Sequence, residues 1–457
     1  MKILALHTSH HGSITYVVDN EVIFHTQLDR YNRIKNTPFV SLKILKLIES
    51  LSFDLLIFTG LLDNNCFESY YDLMLNHNLK IREKLQNAKV VVDFNNHHIF
   101  HAYCSLCWNK DYENILVMDG DGSVLPNNLT EQESIYVYKN ELTHIKTSHL
   151  QIGEKYQKGA FDIFKENFKE GKLLALSLYN KKANKIQQDF EKNFDTYLIN
   201  NNLEGSIIFT GGTAQNVKNN SLHINKFKNI FPDPFNGDFG ISLGSINYHL
   251  QNKIKINNVY LGIPQKLNLD LFYDHIIKEV TVEEVAKILI NDPVAIFQSR
   301  SEQGQRGLGN RSLLMNANHV DAINKLNTIK KREWYRPFAC TILYEEAHKW
   351  FDMKIDESPF MMFLFNVYPS KRHFFKAGIA KDNSCRIQTL KKSYNKHFYD
   401  LLKYFDKITG FPFLINTSLN LPGQVLVEEM EDLKEMFYKT DLSYIYFPEI
   451  NKLIKKQ

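Results

Sequence analysis

A basic segment between residues 299 and 338 contains side chains that could bind a small anion. Gly304, Gly307 and Gly309 lie within it, and glycine lets backbone N–H groups approach a ligand closely. Arginine presents a planar fork that pairs with phosphate or carboxylate oxygens. The basic residues of the segment are Arg300, Arg306, Arg311, Lys330, Arg332 and Arg336. The combination predicts a polyanion site, although a charged run is also typical of a solvated surface.

Histidines in the stretch HHIFHAYCSLCW are predicted to lie on a helix. The spacing of four places His97 and His101 on one face, where both imidazoles can reach one metal ion, while His98 points elsewhere. Asp119, which ends the next strand, and Asp238, in NGDFGISLG, would add two carboxylates. Such a set suits a divalent first-row metal with an open position for substrate. The alternatives are histidines satisfied in the core and a DGDG sequence that caps a turn.

Two further polar turns follow predicted strands. The strand SIIFT leads into Gly211, Gly212 and Asn216, and glycines before a helix present N–H groups that can cradle a phosphate. Ser418 and Asn420 are two residues apart at a strand end, so both side chains can address a triphosphate from one face. In each case the alternative is a polar turn that satisfies its own backbone.

The elements that must position these residues begin with three antiparallel strands. Lys2–His7 is an apolar strand, and residues 13–27 read as a hairpin with a tight turn at Asp19 and Asn20. The same order of strand, polar turn and hairpin begins again at NILVMDGDGS and continues through residues 134–147. This internal repeat predicts a duplicated α/β nucleotide-binding fold of the actin and sugar-kinase type, with its polar turns facing a cleft.

The pattern divides the chain into two domains, at residues 1–280 and 281–457. The second domain begins with a predicted helix at 282–291 and includes a predicted strand at 378–382 and an amphipathic helix at 397–409. Because no long linker or low-complexity segment interrupts it, we expect one compact α/β domain there.

The bulk composition is that of a soluble globular protein. The chain has 457 residues, of which 44% are hydrophobic and 23% charged. The net charge of +4 is too small to call for nucleic acid or an anionic membrane as a partner. The first residues lack a signal-peptide pattern, and no uninterrupted apolar run of about 18 residues occurs. With five scattered cysteines that lack disulfide spacing, these features favour a cytoplasmic protein.

The segment 299–338 resembles the signature of the O-carbamoyltransferases of the NodU/CmcH type. Their pattern is close to GRSE.GPRALGNRS followed by K.RE.FRPFAP, and Asn310 and Arg311 fall on its NR pair. Gln305 replaces a proline of that pattern, Gly307 an alanine and Cys340 the last proline. Six ordered motifs carry the resemblance along essentially the whole chain. It implies an actin-like (ASKHA) domain followed by a YrdC-like α/β domain.

The resemblance also assigns roles in the first domain. The family's histidine-rich turn followed by ER..R.K corresponds to His11 and Lys35, with Gly12 where the family has aspartate. Lys35 would contact the carbamoyl group or a phosphate, and a surface lysine is the alternative. EGKLLALSLYN resembles E.K.MGLA.YG, so Glu170 would orient an acceptor hydroxyl or act as a base, unless it only caps a helix. The motifs HH..HA, DG and D.G..LG imply an iron-like ion near the nucleotide phosphates.

In the second domain, DNSCRIQ resembles DGTARVQ and NTSLNLPG resembles NTSFN..G. The residues carried over as substrate-binding are Asp382, Arg386, Asn416, Ser418 and Asn420. With the basic segment they would form the site that activates the donor.

The resemblance implies that carbamoyl phosphate and ATP form carbamoyladenylate in the second domain, and that the first domain transfers the carbamoyl group to a hydroxyl of a small molecule or sugar. Fe²⁺ or a similar ion in the first domain and Mg²⁺ with ATP would be the cofactors. The oligomeric state stays open, a homodimer included. One alternative is a threonylcarbamoyl-type tRNA-modifying enzyme, which would need a basic tRNA face. Another is a nucleotide-binding, sugar-kinase-like protein that never transfers carbamoyl.

Overall fold

A computed structural model describes residues 1–60, 79–120, 122–125 and 128–457. Cys66, one of the five cysteines, and Asp121, the second aspartate of the DGDG sequence, lie outside these ranges. The chain divides into two compact units. The first unit comprises residues 1–177, 181–216 and 223–262, and the second comprises residues 178–180, 217–222 and 263–457.

The first sheet of unit 1 has five strands within the described residues. They are β1 (Lys2–His7), β2 (Ser13–Val18), β3 (Glu21–Gln27), β4 (Leu55–Thr59) and β5 (Lys89–Asp93). Their order is β3-β2-β1-β4-β5; the first two pairings are antiparallel and the other two parallel. Asp19 and Asn20 have φ of 49° and 70°, the left-handed pair that a two-residue hairpin turn requires.

The second sheet repeats this plan within the described residues. Its strands are β6 (Asn114–Met118), β7 (Glu133–Tyr138), β8 (Leu142–Ser148), β9 (Ser206–Thr210) and β10 (Asn229–Pro232). The order β8-β7-β6-β9-β10 reproduces the order and directions of the first sheet. Both hairpins also carry a register shift in their first strand, between Tyr16 and Val17 in β2 and between Ile135 and Tyr136 in β7. The predicted duplication is therefore confirmed.

Of the described helices as far as residue 262, all but α8 belong to unit 1, and α8 belongs to unit 2. They are α1 (Asp29–Asn32), α2 (Leu42–Ser50), α3 (Leu79–Asn87), α4 (His97–Ser105), α5 (Ile152–Phe164), α6 (Glu170–Leu176), α7 (Lys181–Asn200), α8 (Val217–Leu222) and α9 (Ile241–His249). Helices α4 and α9 pack with their backbones in contact, because a Cβ on Gly244 would lie 1.9 Å from the carbonyl oxygen of Phe100. Only glycine permits this approach.

Unit 2 is built on a mixed sheet of ten described strands. They are β11 (Ile276–Glu279), β12 (Val294–Phe297), β13 (Arg311–Met315), β14 (Ala339–Leu343), β15 (Phe351–Asp352), β16 (Leu364–Val367), β17 (Ser384–Leu390), β18 (Phe413–Ser418), β19 (Tyr444–Phe447) and β20 (Lys452–Lys455). Their order is β11-β20-β19-β12-β13-β18-β14-β17-β16-β15. The second domain is thus α/β, as predicted.

Five described helices belong to the later part of unit 2. They are α10 (Val282–Leu289), α11 (Ala322–Lys330), α12 (Ala347–Trp350), α13 (Lys396–Thr409) and α14 (Met430–Lys439). A capping box formed by Thr281 and Glu284 starts α10, which packs with α13 in an apolar core against the sheet. No helix among the described residues is both long and apolar enough to cross a membrane.

Two expectations about this unit differ from the structure. The division between the units falls after residue 262 rather than 280, because β11 pairs with β20 near the end of the chain and so joins the second sheet. Residues 378–382 are not a strand, since Gly378 and Asn383 have φ of 90° and 66° and bend the chain.

Candidate functional site

Four side chains of unit 1 converge on one point. His97 and His101 from α4 meet Asp119, which follows β6, and Asp238, at the start of a 3₁₀ turn before α9. One ligand atom from each lies within 4.8 Å of the others. His101 Nε2 is 3.2 Å from Asp119 Oδ2 and 3.7 Å from Asp238 Oδ1. These four residues, the imidazole–carboxylate cluster, are the set that the spacing in the sequence singled out.

Local sequence explains how the cluster is assembled. The spacing of four puts both histidines on one face of α4, and Asp119 continues directly from the buried strand β6. Asp238 is held close because Gly240, like Gly244, leaves no side chain between α9 and α4; a Cβ on Gly240 would lie 2.9 Å from Cys104 Sγ. The glycines therefore fix the distance between the two histidines and the second carboxylate.

Opposite charges shift the proton affinities within the cluster. Burial opposes charge on His101, but the nearby carboxylates of Asp119 and Asp238 raise the pKa of its imidazole to about 9. Burial would raise the pKa of Asp119, yet the neighbouring histidines hold that pKa well below its ordinary value. The pKa of Asp238 is lowered in the same way by His10, His101 and other imidazoles. Both carboxylates are therefore ionised at neutral pH.

The donor set fits a divalent cation. Among the described residues, the buried atoms His97 Nε2, His101 Nε2 and Asp119 Oδ2 have no hydrogen-bond partner. Two imidazole nitrogens and two carboxylate oxygens suit first-row metals such as Fe²⁺, Mn²⁺ or Zn²⁺. Iron, which the resemblance implies, is one of these metals.

The turn after β1 brings further polar groups to Asp238. Ser9 Oγ donates to Asp238 Oδ2 at 3.1 Å, His10 Nδ1 lies 3.4 Å from the same oxygen, and His7 Nε2 lies 3.9 Å away. Burial lowers the pKa of His7 to about 4, so this imidazole is neutral. Sequence reasoning missed these three residues, although the run HTSHHGS directly after an apolar strand was a usable signal.

The proposed catalytic residues are His11, which belongs to this turn, Lys35 and Glu170. His11 is half-buried, and burial together with the charge of His10 lowers its pKa to about 4, with a further contribution from Lys35. Lys35 itself is exposed. Glu170 lies in the first turn of α6, where burial raises the pKa of its carboxyl and the charge of His10 opposes that change. His11 is therefore a neutral imidazole, and Glu170 is a carboxylate with increased proton affinity.

The loop after β9, which begins with Gly211 and Gly212 and which we call the glycine loop, adjoins the imidazole–carboxylate cluster. Gly211 has φ of 82°, and a Cβ there would lie 2.4 Å from the carbonyl oxygen of Met118. A Cβ on Gly212 would lie 2.9 Å from Asp119 Oδ1, so the loop contacts one of the carboxylates. The loop continues as a 3₁₀ turn, Gly212–Gln215, before α8. Asn216 exchanges two hydrogen bonds with Gln187 of α7, at 3.1 and 3.3 Å, which fixes the end of the loop.

Unit 2 contains a second concentration of charge, which we call the guanidinium cluster. Its members act on one another electrostatically and are Arg306, Arg332, Arg336 and Arg386. Burial and the other three arginines hold the pKa of Arg306 well below its ordinary value, and burial with Arg336 and Arg386 lowers that of Arg332 to about 9. Such mutual repulsion among partly buried side chains favours an anion that would neutralise it.

Two predicted contacts to substrate have other partners in the structure. Arg311 is fully buried; its guanidinium donates to the carbonyl oxygens of Gln298 and Ser299 and stacks 3.6 Å from the Phe297 ring. Asn310 donates to the carbonyl oxygen of Arg300 at 2.7 Å. Both residues therefore stabilise the loop, and Arg300 itself is half-buried, with a pKa lowered by burial.

Lys330 also has its hydrogen-bond partners within the protein. Its Nζ donates to the carbonyl oxygens of Ser418 and Asn420 and to Asn420 Oδ1, each at 2.6 Å. Ser418 Oγ also donates to Asn420 Oδ1, at 2.7 Å. The lysine thereby holds the turn after β18 in one conformation.

The remaining predicted residues lie around the same loops. Asn416 donates to Thr341 and Gln388, and Asp382 accepts hydrogen bonds from the backbone and hydroxyl of Ser384. A residue that sequence reasoning missed is Glu302, whose buried carboxylate accepts backbone N–H bonds from Leu308 and Arg311 at 2.5 and 3.0 Å. It shapes the loop that carries Arg306.

Comparison with known proteins agrees with the motifs. Residues 285–455 match the family described as Carbamoyltransferase C-terminus, which confirms the resemblance in that part of the chain. An uncharacterized protein of Methanocaldococcus jannaschii is 35% identical over 266 residues, covering 55% of this chain and 51% of that protein. Nodulation protein NolNO of Sinorhizobium fredii is 34% identical over 256 residues, covering 51% of this chain and 37% of that protein.

The chain thus spans about half, or less, of the length of these relatives. Among solved structures, an activator of 2-hydroxyisocaproyl-CoA dehydratase from Clostridium difficile with bound ADPNP aligns with a TM-score of 0.32 and 10% identity, covering 56% of this chain and all of that one. That score is too low to support an inference. The assignment of the fold rests instead on the two identical strand orders of unit 1.

Proposed function

With a carbamoyltransferase C-terminal domain at residues 285–455, we propose that this chain is an ATP-dependent O-carbamoyltransferase. It converts carbamoyl phosphate and ATP to carbamoyladenylate and transfers the carbamoyl group to a hydroxyl of a small molecule or sugar. The guanidinium cluster is the observation that carries this proposal. Both donors are polyanions, and four arginines that repel one another bind such ligands more tightly than isolated cations do.

Activation takes place in unit 2 under this proposal. Water attacks carbamoyl phosphate, so that inorganic phosphate leaves and carbamate remains. A carbamate oxygen then attacks the α-phosphorus of ATP, and pyrophosphate leaves with its Mg²⁺. The guanidinium cluster neutralises the phosphate oxygens as their charge redistributes, and Lys330 and Glu302 keep the surrounding loops in place.

Transfer takes place in unit 1. The acceptor oxygen attacks the carbamoyl carbon, the carbon–oxygen bond to phosphate breaks, and AMP leaves. A base takes the hydroxyl proton; neutral His11 and the half-buried Glu170 are the candidates on this chain. His97, His101, Asp119 and Asp238 would hold a divalent metal, which supplies positive charge for phosphate oxygens when bound. The glycine loop offers backbone N–H groups beside it.

The test is a product analysis of the purified chain with ATP, Mg²⁺ and carbamoyl phosphate. We expect pyrophosphate and inorganic phosphate in equal amounts, and AMP as the adenylate is used or hydrolysed. A kinase-like protein would instead form ADP without carbamoyl phosphate, and a protein that only binds nucleotide would form none of these products. Either result would disprove the proposal.

A further inference from the structure

The buried side chain of Asn236 has polar atoms without hydrogen-bond partners among the described residues. It is 1% exposed, yet among the described residues neither Nδ2 nor Oδ1 has a hydrogen-bond partner. A buried polar group without a partner is costly, so native proteins retain few of them. Asn247 of the same unit shows the ordinary arrangement: its Nδ2 donates to Tyr103 at 2.8 Å and its Oδ1 accepts from the Ile254 amide at 3.0 Å.

Asn236 is two residues before Asp238, a member of the imidazole–carboxylate cluster. Gly237 is extended, with φ of −87° and ψ of 173°, so the side chains on either side of it, at Asn236 and Asp238, project to the same side of the chain. A Cβ on Gly237 would lie 3.3 Å from Nε2 of Gln215, at the end of the glycine loop. Asn236 therefore shares a side of the chain with Asp238 of the imidazole–carboxylate cluster, and the backbone between them borders the end of the glycine loop.

The chemistry of the side chain identifies the group that it would recognise. A carboxamide has a donor and an acceptor side by side, and a carbamoyl group has the complementary pair, a carbonyl oxygen and an NH₂. We propose that Asn236 recognises the carbamoyl group of the adenylate in unit 1, with Nδ2 donating to its carbonyl oxygen and Oδ1 accepting from its NH₂. This inference rests on the proposed function and adds the residue that selects carbamoyl over other acyl groups.

The test uses two hydrolysis-resistant adenylate analogues in which a sulfamoyl group replaces the phosphate. One carries N-carbamoyl and the other N-acetyl, so they differ only by NH₂ in place of CH₃. By calorimetry, we expect the wild-type chain to bind the carbamoyl analogue about tenfold more tightly, since one hydrogen bond is lost and Oδ1 stays unpaired with the acetyl form. Asn236→Leu should bind both analogues equally.

Asn236→Asp provides a second, sharper variant. Its carboxylate still accepts from NH₂ but cannot donate to the carbonyl oxygen, so affinity for both analogues should fall while the preference for carbamoyl remains. A preference that survives in Asn236→Leu, or one that is absent from the wild-type chain, would overturn the inference. Loss of bound Mn²⁺ from Asn236→Leu would also overturn it, because Oδ1 would then be a metal ligand.

Thermal unfolding without ligand separates binding from a structural role. Asn247→Leu removes paired hydrogen bonds and should lower the melting temperature by several degrees. Asn236→Leu replaces an unpaired amide and should leave it unchanged or raise it; a drop as large as that of Asn247→Leu contradicts the inference. Failure of the wild-type chain to make pyrophosphate from ATP and carbamoyl phosphate would remove the proposed function itself, whatever the Asn236 variants do.

Discussion

The two charged clusters of this protein balance their charges in opposite ways. In unit 1, two carboxylates lie 3.2 to 3.8 Å from two imidazoles. The carboxylates and imidazoles therefore stabilise one another in the ligand-free protein. In unit 2, burial and neighbouring guanidinium groups lower the pKa of Arg306, Arg332 and Arg386, and Glu333 lies 3.1 Å from Arg336. The first arrangement retains its geometry without a ligand, whereas the second depends on an anion to offset repulsion.

The sharpest way to test this difference is to remove one guanidinium. Arg332→Ala should reduce pyrophosphate release by about 10²–10³-fold, the usual effect of losing one charged donor to a developing anion. The melting temperature of the ligand-free protein should change little, because relief of repulsion offsets the lost hydrogen bond to the Pro337 carbonyl oxygen. Lys331→Ala, which changes an exposed neighbouring cation, is the control for release assays. Unchanged release in Arg332→Ala would show that the cluster does not bind the donors.

Removing a member of the imidazole–carboxylate cluster should affect metal binding and carbamoyl transfer rather than pyrophosphate release. His101→Ala should lower bound Mn²⁺ and carbamoyl transfer by roughly 10²-fold, while pyrophosphate release stays near the wild-type rate. His98→Asn, which changes the adjacent residue that points away from the cluster and bonds Ser134, should retain the metal. If both half-reactions are lost together in His101→Ala, the two units do not divide the work.

The helix contact that sets the geometry of unit 1 can be broken by one methyl group. Gly244→Ala should destabilise unit 1 by about 3 kcal/mol or more, because its Cβ would lie 1.9 Å from the Phe100 carbonyl oxygen and α4 must move away from α9. Chemical denaturation measures this loss. Gly171→Ala is the matched control, since nothing lies within 4 Å of the added Cβ and the change should be neutral or slightly stabilising.

A buried acid of unit 1 should make stability depend on pH. Burial raises the pKa of Asp233 from 3.8 to about 6, despite hydrogen bonds from Phe235, Trp108 and Thr210. The folded state therefore binds the proton more tightly, and stability should fall by up to ~3 kcal/mol as pH rises from 3.8 through about 6. Asp233→Asn should lose this dependence and be the more stable protein at pH 7. Parallel stability curves for the two proteins between pH 4 and 7 would contradict this.

Lys330 should behave as a residue that positions a loop. Lys330→Ala should lower the stability of unit 2 by ~2 kcal/mol, because three charge-assisted hydrogen bonds to the turn after β18 are lost. Thermal unfolding measures the effect, and Lys331→Ala again serves as the control. A normal melting temperature combined with a large loss of ATP affinity would instead favour direct contact with phosphate.

The sequence was sufficient for the parts of the fold and site that depend on short-range spacing. The repeat of strand, turn and hairpin predicted the duplication, and the spacing of His97 and His101 predicted one shared helix face. The sequence could not show that Arg311 donates to carbonyl oxygens of its own loop. An arginine that binds the backbone and one that binds phosphate are the same residue type, and only the fold decides which partner the guanidinium meets. The roles of His7 and Ser9 were missed for a related reason, since their partner Asp238 is about 230 residues away.

The guanidinium cluster has a further consequence for turnover. If this cluster binds the phosphate-bearing reactants, as proposed, it also attracts pyrophosphate and phosphate, because the same guanidinium groups pair with the same kind of oxygens. We therefore expect departure of the products to limit the rate of the forward cycle, and expect inorganic phosphate or sulfate buffers to inhibit the protein while protecting it from heat.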